Sequence, residues 1–187
     1  HLTTGFVGTC YLCPVLSACG MNKEAYDLLL QEEYPGWLYE VNMGATTVWE
    51  RWNSILPDGS ISDTGMNSLN HYAYGVIAEW FYQYMCGLRP AQTRAGWKAA
   101  ILAPMPDRRL EYAQCMYESA SGTYESSWNW EKDGILFSIR IPFDARARFV
   151  LPFTGKKVTV NGKRCRQLEE EGRKVFPAGN YEICVKK

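Results

Sequence analysis

The sequence lacks several features that identify whole classes of proteins. It has no net charge, because 20 Lys and Arg residues offset 20 Asp and Glu residues over its 187 positions, so it lacks the basic excess typical of nucleic-acid-binding proteins. It has no run of about 20 uncharged apolar residues, which a membrane-spanning helix needs. It contains only two histidines, and no metal-ligand cluster or glycine-rich phosphate loop is visible. We therefore expect no nucleic acid, membrane, metal or cofactor.

The absence of net charge results from two halves of opposite sign. Residues 1–88 contain nine acids and two bases, a net charge of −7, and residues 89–187 contain 11 acids and 18 bases, a net charge of +7. This asymmetry predicts two units with a boundary at about residue 88. We expect the Lys and Arg excess of the second unit on outward strand positions and in turns, as a solvated face and protected strand edges.

The start of the chain and its cysteines bear on its origin and location. The chain begins at His1 without the basic and apolar segments of a signal peptide, so we expect a piece of a longer protein that is cut upstream. Seven cysteines show no disulfide-framework spacing and favour reduced thiols and the cytoplasm. Cys10 and Cys13 lack a second Cys or His pair at zinc-ligand spacing, and we interpret them as buried residues of a helix.

Helical patterns predominate in the first half of the chain. Residues 9–32 predict a helical hairpin, whose first helix covers about Thr9–Ala18 and whose second helix is capped by Asn22. The aromatic segment that starts at Tyr34 predicts a loop. Two further helices are predicted at Thr46–Trp52 and at Asn67–Cys86, the second with an unbroken apolar stripe.

The sequence after about residue 108 predicts β-structure. Apolar and other residues alternate along residues 135–141 and 145–149, which is typical of strands. The pairs Asp133-Gly134 and Asn161-Gly162 are typical of hairpin turns. Several short strands at this spacing predict an antiparallel β-sandwich.

Glu50 is the candidate catalytic carboxylate, because it lies between Trp49 and Trp52. Aromatic surroundings can raise the pKa of a carboxyl group, which suits general acid or base catalysis, and Trp rings stack on sugar faces. Two structural roles are also open. Thr47 and Glu50 have the spacing of a capping box, and Arg51 offers an ion pair. From the residues alone, the capping role is favoured.

His71 is the second candidate. It is expected one turn into the long helix, on a face that it shares with small residues such as Gly75 and Ala78. The positive end of the helix would lower its pKa and keep it a neutral hydrogen-bonding group.

Five long segments share their residues and order with a known family. They are HLTTGFVGT at 1–9, AYDLLLQ at 25–31, YPxWLY at 34–39, GATTxWERW at 44–52 and NSLNHYAxG at 67–75. These segments resemble the bacterial α-L-rhamnosidases of glycoside hydrolase family 78, and the β-rich remainder is similar to the C-terminal sandwich of that family.

This resemblance implies inverting hydrolysis of terminal α-L-rhamnosides inside an (α/α)6 barrel. It assigns Glu50 as the general base and His71 as a residue that contacts the substrate, with Trp37 and Trp49 as further candidate sugar-binding residues. The implied fold class is α then β. It consists of the C-terminal part of an (α/α)6 barrel with about four helices in residues 1–88, followed by an antiparallel β-sandwich in residues 89–187.

The resemblance also implies that a part is missing. The family's general acid lies upstream of any segment in this chain, and four helices are far fewer than the twelve of a closed barrel. We therefore expect a rhamnosidase portion that depends on the upstream part of the same enzyme as its partner. The face that the missing helices would cover predicts either self-association, and hence a homo-oligomer, or poor solubility.

Two other functions are compatible with the sequence. The first is a non-catalytic carbohydrate-binding or accessory sandwich, with a helical docking layer and with binding by Trp128 or Trp130; inward packing of these two rings is favoured. The second is a complete small hydrolase that pairs Glu50 with Asp58 or Asp63, although both aspartates are typical turn residues.

Overall fold

The computed structural model describes residue 2 and residues 4–63, 65–153 and 157–186. The expectations for His1, Thr3 and Thr64 lie outside these residues. The chain divides into two compact units, His1–Trp80 and Phe81–Lys187. The first unit is helical and the second is built on a β-sheet.

The first two helices form the predicted hairpin. They are α1 (Phe6–Ala18) and α2 (Asn22–Leu29), and α1 begins three residues earlier than expected. The cap assigned to Asn22 is wrong, because Met21 is the N-cap residue of α2. The side chain of Asn22 instead accepts a hydrogen bond from Ser17 Oγ at 3.0 Å, which fastens the start of α2 to the end of α1.

Two predicted helices of the first unit are wrong in position. A short helix, α3 (Trp37–Asn42), occupies the segment expected to be a loop, and residues 46–52 contain bends and turns instead of a helix. The long helix starts late: residues 67–72 are irregular, and the helical segment begins at residue 73. Its parts are a 3-10 turn (Ala73–Val76), an α-helical turn, α4 (Ile77–Trp80), and a π-helical turn (Phe81–Met85).

Backbone hydrogen bonds between the two irregular segments explain both errors. The N–H of Glu50 donates to the carbonyl of Ser68 at 2.8 Å, and the N–H of His71 donates to the carbonyl of Val48 at 2.8 Å. Peptide groups that a helix would use internally are therefore paired across the chain. We call residues 46–52 and 67–72 the paired loops.

The core of the first unit lies where the hairpin meets α4. Trp80 and Tyr26 are fully buried, with their rings edge to face and 5.0 Å apart. The indole N–H of Trp80 donates to Ser17 Oγ at 2.9 Å. Cys13 is buried, as predicted, and burial raises its pKa to about 11, whereas Cys10 is half-buried. All seven cysteines are free.

The second unit is built on an eight-stranded, mostly antiparallel sheet. The strands are β1 (Leu88–Pro90), β2 (Ala99–Leu102), β3 (Tyr112–Ser119), β4 (Gly122–Glu131), β5 (Gly134–Val150), β6 (Lys157–Val160), β7 (Lys163–Arg164) and β8 (Arg173–Lys186). Six of them follow the order β1-β2-β5-β8-β6-β7, in which the β2–β5 pair is parallel, and a branch adds β4 to β5 and β3 to β4. A short helix that was not predicted, α5 (Arg166–Glu171), precedes the last strand.

The long strand β5 joins the two layers of the predicted sandwich. Its pairing with β8 shifts register between Ile141 and Arg146. Phe137 and Phe149 lie on either side of this irregularity, and their rings meet at 5.4 Å. In a straight strand, positions 137 and 149 would be separated by about 40 Å, because each residue adds about 3.3 Å. The strand therefore folds back on itself and brings Phe137 and Phe149 together as buried residues of the core.

Of the two turn predictions in the second unit, one is confirmed and the other is shifted by one residue. The turn between β4 and β5 consists of Lys132 and Asp133, and Gly134 is the first residue of β5, paired with Glu131. Asn161 and Gly162 have positive φ values of 48° and 77° and connect β6 to β7, as a two-residue hairpin turn requires. Strands also occur before residue 108, at β1 and β2, where none were predicted. No helix in the described part of the chain has the length and apolar character to cross a membrane.

Candidate functional site

The paired loops hold Glu50 at a defined orientation. The N–H of Ser68 donates to Glu50 Oε2 at 2.8 Å, and the Glu50 N–H donates back to the Ser68 carbonyl. Within the described residues the other oxygen, Oε1, accepts no hydrogen bond. The side chain is half-buried. One carboxylate oxygen is thus anchored to the backbone, and the other is left to act on a water molecule or a ligand.

The capping-box interpretation of Glu50 is wrong. No helix begins at Thr47, and the carboxylate binds the N–H of Ser68 and not that of Thr47. The hydroxyl of Thr47 donates to the carbonyl of Leu69 and so adds a fourth hydrogen bond between the loops. The spacing suggested a local contact, but the partners of both side chains lie about 20 residues away along the chain.

Trp37 and Trp49, the candidate sugar-binding aromatics, are both buried in this chain. The Trp37 ring meets that of Trp52 edge to face at 5.3 Å, and its indole N–H donates to the Tyr74 carbonyl at 2.9 Å. Trp52 in turn stacks on the Tyr74 ring at 3.9 Å. These rings form an aromatic base next to the paired loops, and the sugar-binding role of Trp37 and Trp49 stays a prediction.

Glu40 is a buried acid beside the candidate site, and the sequence patterns did not identify it. It is only 3% exposed, and its Oε2 accepts a hydrogen bond from the N–H of Trp49, the residue before Glu50, at 3.3 Å. Its Oε1 is buried and has no partner within the described residues. Burial raises the pKa of Glu40 to about 7, although the hydrogen bond from Trp49 acts in the opposite direction. The available signal was an acid within the apolar run of residues 37–41.

His71 lies in the second paired loop and not inside a helix, so its predicted placement is wrong. Its Nδ1 accepts a hydrogen bond from the N–H of Ala73 at 3.3 Å. A neutral imidazole with Nδ1 as acceptor carries its proton on Nε2. The ring stacks on Phe6 at 4.9 Å and on Tyr72 at 5.5 Å.

A cavity of about 660 Å³ adjoins His71. Phe6, Val7 and Cys10 of α1 form one wall, and Gly75 contributes to the other together with His71. The expected helical face is not formed: Gly75 lines the cavity with His71, but Ala78 does not, and Val76, which was expected on the opposite face, does. The volume lies in the range of about 300–1,000 Å³ that small-molecule sites occupy.

Asp58 and Asp63 have the structural role of turn residues. Asp58 Oδ1 accepts two hydrogen bonds from Ser60, one from its hydroxyl at 2.6 Å and one from the Ser60 backbone N–H at 2.9 Å. These bonds lower the pKa of Asp58, whereas a general acid needs a raised pKa. The carbonyl of Asp63 accepts the N–H of Gly65 in a second turn.

The two strand tryptophans of the second unit do not form an exposed sugar platform. Trp128 is 1% exposed and donates its indole N–H to the carbonyl of Met85 at 2.8 Å. Trp130 is half-buried, with the guanidinium of Arg108 4.0 Å above its ring and the Phe153 ring stacked at 6.2 Å. The favoured prediction of inward packing is confirmed for Trp128.

Metal chemistry was not expected from the sequence. In the part of the chain that the structure describes, no group of three or more His, Cys, Asp or Glu residues is arranged to hold a metal ion.

The helical unit with its anchored carboxylate and the β-unit that follows it correspond to two domains of one family of proteins. Residues 1–85 match the family model of the bacterial alpha-L-rhamnosidase 6 hairpin glycosidase domain, and residues 87–166 match that of the bacterial alpha-L-rhamnosidase C-terminal domain. The chain belongs to the bacterial α-L-rhamnosidase family. The fold class predicted from the resemblance is confirmed.

Relatives and solved structures agree with this assignment. An alpha-L-rhamnosidase of Alteromonas sp. (strain LOR) is 44% identical over 98% of this chain and 20% of the relative, and one of Streptomyces avermitilis is 39% identical over 96% of this chain and 17% of the relative. The crystal structure of the Streptomyces avermitilis alpha-L-rhamnosidase complexed with L-rhamnose covers 100% of this chain and 18% of its own, at a TM-score of 0.85 and 34% identity. The structure of the alpha-L-rhamnosidase from Dictyoglumus thermophilum aligns with 100% of this chain and with 21% of its own length, at a TM-score of 0.87 and 29% identity. The chain therefore spans about a fifth of the length of these proteins.

Proposed function

We propose that this chain is the C-terminal portion of an inverting α-L-rhamnosidase that hydrolyses terminal α-L-rhamnosides, and that it supplies the general base but not the general acid. One observation carries the proposal. Glu50 is half-buried in the paired loops, with Oε2 held by the Ser68 N–H and with no hydrogen bond to Oε1 among the described residues. A base needs this combination of a fixed orientation and one available oxygen.

In the proposed reaction Glu50 carries out one proton transfer. Its Oε1 takes a proton from a water molecule, and the water oxygen bonds to the anomeric carbon on the face opposite the leaving group. The glycosidic C–O bond breaks, and the leaving oxygen takes a proton from a second carboxyl group about 6.5–9.5 Å from the first. We assign that acid to the upstream part of the enzyme, since Asp58 is engaged with Ser60 and its pKa is lowered.

His71 is proposed to contact the sugar. Its Nδ1 is occupied by the Ala73 N–H, so Nε2 is the nitrogen that donates to a sugar hydroxyl. The Phe6 ring on one side of the imidazole fixes its plane. The adjoining cavity of about 660 Å³ accommodates a monosaccharide.

The upstream part of the enzyme is the proposed partner of the helical unit. Val7, Tyr11 and Val15 lie on one face of α1, and each is more than half exposed. Such an apolar stripe is typical of a helix that packs against another element. In the isolated chain we expect the same stripe to promote a homo-oligomer. A cytoplasmic location stays a proposal, supported by the seven free cysteines.

The test replaces Glu50 by Gln in the complete enzyme and measures hydrolysis of an aryl α-L-rhamnoside. Loss of the base should lower kcat by at least about a thousandfold, within the range that general base catalysis contributes. Glu24→Gln, on the exposed side of α2, is the matched control and should keep full activity. Proton NMR should detect the product first as the inverted anomer.

Two results would contradict the proposal. Retained activity of Glu50→Gln would remove the base assignment. Turnover of the aryl rhamnoside by the isolated 187-residue chain, at the rate of the complete enzyme, would show that the chain contains its own acid.

A further inference from the structure

A cavity of about 710 Å³ in the second unit has an unusual charge. Arg89, Arg146 and Arg148 line it, and no acidic residue does. Gln92 and Thr93 add neutral polar groups at its rim. Because this cavity contains no residue of the paired loops, it is separate from the site proposed for hydrolysis.

The strand register brings the three arginines to one face. Arg89 on β1 is opposite Ile101 on β2, and Ile101 is next to Arg148 on β5. Arg146 lies two residues before Arg148, so both side chains leave β5 on the same side. Strands two apart in a sheet are separated by about 10 Å, which long arginine side chains from both sides can bridge towards a shared ligand.

Hydrogen bonding leaves these arginines available. The Arg89 guanidinium lies 5.2 Å from the centroid of the Tyr84 ring, which orients it. Its Nε is buried and has no hydrogen-bond partner within the described residues. Arg146 and Arg148 are exposed and form no ion pair with any residue that the structure describes.

Other arginines of the same unit are paired. Arg140 binds Glu125 at 3.0 Å, and Arg164 binds Glu169 at 2.9 Å. Like charges on neighbouring strand positions repel one another. Three guanidinium groups that form no ion pair with a described residue therefore favour the entry of an anion into the cavity. The planar guanidinium matches a carboxylate or a sulfate group with two parallel hydrogen bonds.

We propose that this cavity binds an acidic saccharide, whose carboxylate or sulfate group is held by Arg89, Arg146 and Arg148. The cavity volume suits one or two sugar residues, and the side chains of Gln92 and Thr93 can bond neutral hydroxyls. The choice of a saccharide rests on the membership of this chain in a glycosidase family. The exposure of Arg146 and Arg148 agrees with the expected solvated face, and the proposal adds a binding role to it.

Isothermal titration of the 187-residue chain tests the proposal with four probes: glucuronic acid, glucose 6-sulfate, glucose and inorganic sulfate. We expect at least one of the two acidic sugars to bind with a Kd in the millimolar range or tighter and glucose not to bind measurably. Binding of glucuronic acid alone identifies a carboxylate as the recognised group, and binding of glucose 6-sulfate alone identifies a sulfate. The affinity should fall as salt is added, because the attraction is electrostatic.

Matched variants distinguish binding at the cavity from general electrostatic attraction to a basic protein surface. The double substitution Arg146→Gln and Arg148→Gln should weaken binding at least tenfold, and Arg148→Lys should weaken it less, since it keeps the charge but loses the planar fork. Arg140→Gln removes one positive charge outside the cavity and should leave the affinity unchanged. Circular dichroism melting curves establish that each variant is folded.

Several results would overturn the inference. These are equal binding of glucose, equal binding of inorganic sulfate, no binding of either acidic sugar, or equal weakening by Arg140→Gln. These binding outcomes are independent of Glu50, because rhamnoside hydrolysis is measured separately. If the base assignment of Glu50 failed, the acidic-saccharide site would still stand. If the acidic-saccharide site failed, the base assignment would still stand.

Discussion

Two fully buried tryptophans, one in each unit, satisfy their indole N–H groups in different ways. Trp80 in the helical unit donates to the side-chain hydroxyl of Ser17 at 2.9 Å. Trp128 in the β-unit donates to the backbone carbonyl of Met85 at 2.8 Å. A substitution can remove the first acceptor but not the second. At this contact the helical unit depends on a side-chain acceptor and the β-unit on a backbone acceptor. The buried Trp37 of the helical unit, whose N–H donates to the Tyr74 carbonyl, does not share this dependence.

The same dependence on side chains occurs in the paired loops. The Trp49 N–H donates to the buried Glu40 carboxyl, and the Ser68 N–H donates to the Glu50 carboxylate. In the β-unit the buried hydroxyl of Ser126 donates to the carbonyl of Cys86 at 2.7 Å. We therefore expect single substitutions to disturb the loops around the candidate base more readily than the sheet.

The largest effect on stability should be equal in the two units. Trp80→Ala and Trp128→Ala each remove a fully buried ring, and each should lower the free energy of unfolding by about 3–5 kcal/mol. Urea unfolding followed by circular dichroism measures the loss. Tyr72→Ala, at a side chain that is 89% exposed, is the control, with an expected change below about 0.5 kcal/mol. A loss below about 1 kcal/mol at either tryptophan would contradict the assigned burial.

The next largest effect concerns pH and the helical unit alone. The pKa of Glu40 is about 7 in the folded chain against an ordinary value of 4.5. Between these values the folded state holds a proton that the unfolded chain releases. The stabilising contribution of the protonated carboxyl is full below about pH 4.5 and is lost as the pH rises through about 7, a fall of roughly 3 kcal/mol.

Glu40→Gln should abolish this fall, because the amide has the shape of the protonated acid and does not titrate. The free energy of unfolding, measured from pH 4.5 to 8, should then decline less in the variant than in the native chain. Glu32→Gln, at an exposed position, is the matched control. Identical pH profiles of Glu40→Gln and the native chain would show that Glu40 is not buried as described.

The smallest expected effect is the difference in stability between variants at the two hydrogen-bond acceptors of Trp80 and Trp128. Ser17→Ala removes the hydroxyl that accepts the Trp80 N–H and donates to Asn22, and it should cost about 1–3 kcal/mol. Met85→Leu keeps the carbonyl that Trp128 uses and nearly conserves volume, so it should cost less than about 1.5 kcal/mol. Thermal melting of both variants provides the measurement. A larger loss for Met85→Leu would reverse the contrast between side-chain and backbone acceptors.

Local patterns predicted those parts of the fold whose hydrogen bonds are local. The α1–α2 hairpin follows from helical spacing, and the turn at Asn161-Gly162 follows from two residues that tolerate positive φ. The alternation in residues 135–141 predicted half of β5. In each case the interacting groups are neighbours in the chain, or the strand pattern itself selects the buried face.

The candidate site was predicted less completely. Motif resemblance selected Glu50 and His71, but residues 46–52 and 67–72 were assigned to helices. Their backbone groups pair with each other across about 20 residues, and no local pattern encodes that partner. Glu40 was missed for the same reason: its significance comes from the Trp49 N–H that tertiary folding places against it.

By itself the sequence determined the family, the order of a helical and a β-rich part, the hairpin turns and the identity of the candidate base. Only the tertiary structure decided the partner of each carboxylate and the convergence of Arg89, Arg146 and Arg148 on one cavity. The physical reason is distance along the chain. Propensity, periodicity and turn chemistry act over a few residues, whereas the environment of a charged group depends on segments that meet only after folding.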